Sequence, residues 1–113
     1  MRPIPPKIRE QISLDPFYRF CIHERYRGIP AKGRITIEHA WIYAGRQIND
    51  LWALVPCAEE KNVGVSGDDK KFNQYVALLR AKELGVWDEL KNNYPRRDWD
   101  QEFERLKSIF PKI

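Results

Sequence analysis

Glu38-His39 is the point in this chain where two neighbouring side chains could together move a proton and hold a cation. Imidazole gains and loses a proton near neutrality, which suits it to general-base work. A carboxylate beside it offers a hard oxygen of the kind Mg²⁺ takes. Seven residues after His39, Arg46-Gln47 adds a guanidinium whose planar fork matches phosphate; the same arginine could instead pair with Glu38. Taken alone, an acidic residue before a histidine is also what an ordinary hydrogen-bonded surface pair looks like. The two cysteines, Cys21 and Cys57, supply half of a four-ligand zinc site, and a disulfide between them is not expected in a cytosolic protein.

The flanking sequence predicts what must position these groups. Pro30-Ala-Lys-Gly33 reads as a turn, and Arg34-Ile-Thr-Ile-Glu38 alternates as a half-buried strand that ends at His39. A Gly45-containing loop leads to Asn49-Asp50. Leu51-Trp-Ala-Leu-Val55 is a second apolar run of strand length, stopped by Pro56. Cys57-Ala-Glu-Glu-Lys-Asn62 then reads as the first turns of a helix. Ser66-Gly-Asp-Asp69 resembles a capping box for a helix bearing Phe72, Tyr75, Val76 and Leu79 on one stripe, with Gly85 as its stop. Further helices are predicted over Val86–Tyr94 and Asp98–Phe110. Residues 1–16, rich in proline, read as an arm laid across the surface. The aromatics and arginines interleaved through residues 17–27 read as a core-facing stripe, with nucleic-acid contact as the alternative.

With 113 residues, 42% hydrophobic and four tryptophans, the chain can close one modest core, so a single domain over 1–113 is expected. No apolar run is long enough for a membrane helix, and the N-terminus lacks an apolar signal segment, so the expected location is the cytoplasm. Residues 1–35 hold eight Lys/Arg against three Asp/Glu, while residues 36–66 hold two against four. A basic third beside an acidic middle fits a phosphate-binding surface flanking a metal or general-base site, although a solvated basic face has the same composition.

The string Ile37-Glu-His-Ala-Trp-Ile-Tyr-Ala-Gly-Arg-Gln-Ile-Asn49, followed by Trp52-Ala-Leu-Val-Pro-Cys57, resembles the phage-type HNH (ββα-metal) endonucleases. Phe72-Asn-Gln-Tyr-Val-Ala-Leu-Leu-Arg-Ala81 and Tyr94-Pro-Arg-Arg-Asp-Trp99 extend the likeness over roughly residues 15–110. The resemblance implies an α+β fold: a ββα-metal hairpin-helix core over 34–62 with a helical extension over 66–110. It implies a DNA endonuclease that hydrolyses phosphodiester bonds with one divalent cation, Mg²⁺ or Mn²⁺, in a bacterial host cell, its gene carried by the host or by a phage. Carried over residue by residue, His39 would be the general base and Asn49 its orienting partner. Glu38 and Asn62 would be metal ligands, with Glu60 competing for the last position. Arg34, Arg46 and Gln47 would contact DNA. Outside that carry-over, Arg96-Arg97 before the last helix reads either as a solvated pair or as a phosphate clamp.

The chain departs from that pattern at three places. Cys21-Ile-His-Glu24 and Cys57-Ala-Glu-Glu60 stand where zinc-knuckle halves would place Cys-x-x-Cys, leaving either a decayed knuckle filled by packing or a poor zinc site of Cys21, His23, Cys57 and Glu60. No histidine follows Cys57. Ala53 occupies a place that is polar in many relatives. These gaps imply the alternative of a catalytically degenerate module that binds DNA or a protein partner, as a phage accessory or inhibitor protein.

Overall fold

The computed structural model describes residues 3–61 and 67–112. The alternating segment forms strand β1 (Ile35–His39) as the sequence predicts. A small hairpin, β2 (Ile42–Tyr43) and β3 (Arg46–Gln47), turns through Ala44 and Gly45, whose φ values of 51° and 78° are both left-handed. That is the backbone of a two-residue primed turn, and it is costly for the alanine. The sequence offers Ala-Gly where Asn-Gly would announce such a turn, and it reads as a plain loop.

The second apolar run divides differently from expectation. Leu51–Ala53 is a single 3₁₀ turn, and the strand that pairs with β1 is β4 (Leu54–Ala58), three residues later than predicted. The ladder is antiparallel, with Ile35 opposite Ala58 and His39 opposite Leu54. Pro56 lies inside it rather than ending it. Glu59 N–H donates to Arg34 O at 3.0 Å, and Ala40 N–H donates to Ala53 O at 2.9 Å. Ladder bonds therefore fall on odd-numbered residues of this strand, and the N–H that Pro56 lacks would point outward from a two-stranded sheet. Cys57 is a strand residue, not the start of a helix. Glu59–Lys61 makes one further 3₁₀ turn.

Among the described residues, five helices surround this pair: α1 (Pro6–Leu14), α2 (Ile22–Arg27), α3 (Gly67–Glu83), α4 (Trp87–Asn93) and α5 (Trp99–Ile109). The segment read as an arm contains α1, opened by Pro6 at its first turn and resting Ile8 and Ile12 against the core. The last three helices follow the predicted stretches to within about one residue at each described end. Gly85 (φ 74°) terminates α3 in the left-handed conformation. Of the predicted capping box, Ser66 lies outside the described residues.

The fold is α+β, an antiparallel β1–β4 pair packed against helices. Every residue of β4 is buried, because α3 covers it as well as α2 and the Pro16–Arg19 turn. A continuous apolar run, rather than an alternating one, suits such a two-sided position. Trp41, Trp52 and Trp99 meet edge to face at centroid distances of 5.0 and 5.8 Å, joining the hairpin region to α5. Phe17 and Tyr18 join the core, whereas Phe20 is exposed. Among the described residues no helix is long and apolar enough to cross a membrane.

Candidate active site

His39 closes the β1–β4 ladder, and the chain turns at once into Ala40, which is buried and bonded to Ala53. This fixes the backbone beneath the imidazole. The side chain is half-buried, and its Nε2 lies 2.7 Å from Asn49 Oδ1. Asn49 Nδ2 donates in turn to the Pro3 carbonyl at 3.0 Å. An amide whose nitrogen is committed to a carbonyl must present its oxygen on the other side, so His39 donates from Nε2–H. The neutral imidazole then keeps its lone pair on Nδ1, the arrangement a base requires.

The imidazole lines a cleft of about 360 Å³. Glu38 and Gln47 line it from the strands, and Lys70, Asn73 and Gln74 line it from α3. Arg97, Glu102 and Arg105 complete the wall from the α5 end. Glu102 accepts from Arg97 and Arg105, each at 3.2 Å, and Arg97 also lies over the Trp41 ring at 5.3 Å. Three cationic side chains thus share one depression with Glu38 and His39. Sequence reasoning had singled out only Arg97 of the three, as half of an arginine pair. Another depression, about 340 Å³ between α1 and α4, is lined mainly by apolar side chains and brings no histidine or cationic group.

The remaining candidates are distributed unevenly. Gln47 is in the cleft, and Arg46 is exposed on β3 beside it. Arg34 sits at the opposite end of the ladder, where it pairs with Glu59 at 2.8 Å. Glu60 is at that same end, its carboxylate accepting from Lys32 N–H at 3.1 Å. Four strand residues separate the two ends, about 13 Å, so the structure does not bring Glu60 to Glu38 and His39. Asn62 lies outside the described residues. Among those described, no three His, Cys, Asp or Glu side chains are grouped to hold a metal ion.

His23 and Cys57 meet in a buried polar cluster beneath the sheet, with Cys21 near enough to act on the Cys57 thiol. Asn73, reaching in from α3, is its hub: its Oδ1 lies 2.7 Å from His23 Nε2 and accepts from the Cys57 thiol at 3.6 Å. His23 Nδ1 faces Arg27 at 3.2 Å, so both ring nitrogens are engaged by protein groups. Arg27 and Lys61 converge on Asp69 at 3.0 and 3.4 Å. Burial pushes the Cys57 thiol up, and Cys21 adds to the effect; both cysteines are buried and unbridged. An asparagine inside an otherwise apolar helical stripe was the one sequence signal for this hub.

The cluster makes stability depend on pH. His23 is fully buried, and burial lowers its pKa from 6.5; Arg27 and Lys61 push the same way, and the Asn73 bond and Asp69 offset them only in part. The unfolded chain therefore binds a proton that the folded chain resists. The stabilisation is complete above pH 6.5 and is lost as pH falls below it toward the lowered folded value. Urea unfolding should give a smaller free energy at pH 5.5 than at 7.5. His23→Gln, which keeps an amide beside Asn73, should flatten that difference, and an unchanged difference would contradict this assignment.

No family model matches the chain, and no significant match to a curated protein or a solved structure was found.

Proposed function

We propose that the chain is a metal-dependent DNA endonuclease of the HNH (ββα-metal) type, hydrolysing phosphodiester bonds with His39 as general base. The observation that carries this is the His39–Asn49 pair, which leaves Nδ1 of a neutral imidazole as a proton acceptor in a cleft shared with Glu38 and three cationic side chains. Asn49 holds the ring. Lys70, Arg97 and Arg105 provide the charge that attracts and seats a phosphate. Glu38 is the carboxylate that would hold Mg²⁺ or Mn²⁺, and the hard oxygens in the cleft suit either ion, which keeps much of its water and needs only one or two carboxylates. A cation there would offset the charge developing on the phosphate and the leaving oxygen. The hydrogen bonds around Asn73 support reading the knuckle position as packed by protein groups.

A second reading, a degenerate module that binds DNA or a protein partner without cutting, is favoured by one observation: Glu60 is tied to Lys32 rather than turned toward His39. Nicking of supercoiled plasmid across a Mn²⁺ titration distinguishes the contributions. Glu38→Gln should raise the metal concentration needed for half-maximal rate by 10-fold or more, roughly the effect expected of a lost ligand or its support. Glu60→Gln should leave the titration unchanged. The reverse pattern would move the ligand to Glu60 and remove Glu38 from the site.

A further inference from the structure

We propose that the segment Pro3-Ile4-Pro5 is a positioning element of the His39 site, setting the tautomer of the imidazole through the Asn49 amide. The inference rests on His39 acting as the base, as proposed above. Its observations are the two bonds of one amide: Oδ1 to His39 Nε2 at 2.7 Å and Nδ2 to Pro3 O at 3.0 Å. A side-chain amide on its own can turn over and present either end. If it did so here, its NH₂ would face the ring, Nε2 would have to accept, and the proton would move to Nδ1. The acceptor needed for base catalysis would then be gone. What prevents the exchange is a backbone carbonyl 46 residues away in sequence, against which only the NH₂ end can point.

The segment is itself held. Ile4 is buried in the main core at 9% exposure, although Pro3 and Pro5 on either side are exposed. Arg9 from α1 donates its Nε to the Ile4 carbonyl at 3.2 Å, and Arg9 N–H donates to Pro5 O at 3.0 Å. The prolines restrict φ at three of the four positions from Pro3 to Pro6, so the carbonyl at 3 has little freedom once Ile4 is seated. Helix α1 thus acts as the clasp of a strap whose end touches Asn49.

The test is nitrogen NMR of the His39 ring in the full chain, without DNA or metal, in alkaline buffer where imidazoles are neutral. Wild type should show a protonated Nε2 and an unprotonated Nδ1. Arg9→Gln, an exposed change that spares the core, and Ile4→Ala should each draw the two nitrogen signals toward one another as the tautomers mix. The same variants should lower kcat for plasmid cleavage by about 10-fold with KM unchanged. Adding Asn49→Asp, whose carboxylate can only accept, should restore the Nε2–H form whatever the strap does. A wild-type ring protonated on Nδ1, or strap variants whose ring signals match wild type, would overturn the inference. Because the ring signals are read without substrate, absence of cleavage in wild type would count against the nuclease assignment alone.

Discussion

The His39→Ala variant is expected to lose about 10²–10⁴-fold in the rate of divalent-dependent DNA cleavage, the usual cost of removing a general base. It should do so with its fold intact. His39 is half-buried at a strand end, and its ring bonds to Asn49, itself only half-buried. Losing that bond should lower stability by no more than about 1–1.5 kcal/mol, because water can reach the amide left behind. DNA affinity should also persist, since Lys70, Arg97 and Arg105 remain. Single-turnover nicking rates alongside a urea unfolding curve separate these effects. A variant that cuts at the wild-type rate would remove His39 from the chemistry.

The second large effect is structural. Trp99→Ala should destabilise the chain by about 3–5 kcal/mol, in the range for a buried tryptophan truncated in a core. Trp99 is 1% exposed, its ring meets Trp41 at 5.0 Å and Trp52 at 5.8 Å, and its Nε1–H donates to the Tyr94 carbonyl at 2.8 Å. Alanine would leave a cavity where the hairpin region and α5 join, and would strip the Tyr94 carbonyl of that donor. Against a typical total of roughly 5–15 kcal/mol, this is enough to leave part of the population unfolded at 37 °C. The urea midpoint checks it. A shift worth less than about 1 kcal/mol would show that α5 is not anchored through this residue.

How far the sequence revealed these features depended on the range of the interactions behind them. Strand β1 and the helices carry their periodicity locally, whereas the pairing of His39 with Asn49, across the β2–β3 hairpin, was implied only by the family resemblance. The position of β4 was not. Pro56 reads as a stop, and only the outward direction of its missing N–H makes it acceptable within the ladder. The β2–β3 turn was hidden because Ala44 takes a left-handed conformation that its side chain does not favour. Lys70 and Arg105 were beyond reach for another reason: they lie 31 and 66 residues beyond His39, and only the docking of α3 and α5 brings them to the cleft. Glu60 illustrates the converse error of proximity. Close to Cys57 in sequence, it is carried past the end of β4 and away from His39.

Wild-type protein incubated with supercoiled plasmid in Mg²⁺, Mn²⁺ or chelator, with DNA binding followed by gel shift in the same samples, tests the central claim most directly. The nuclease assignment predicts binding under all three conditions, nicked circles accumulating with Mg²⁺ or Mn²⁺, and none with chelator. Protein that shifts the plasmid in every sample yet never nicks it would contradict that assignment and leave a DNA-binding module in its place.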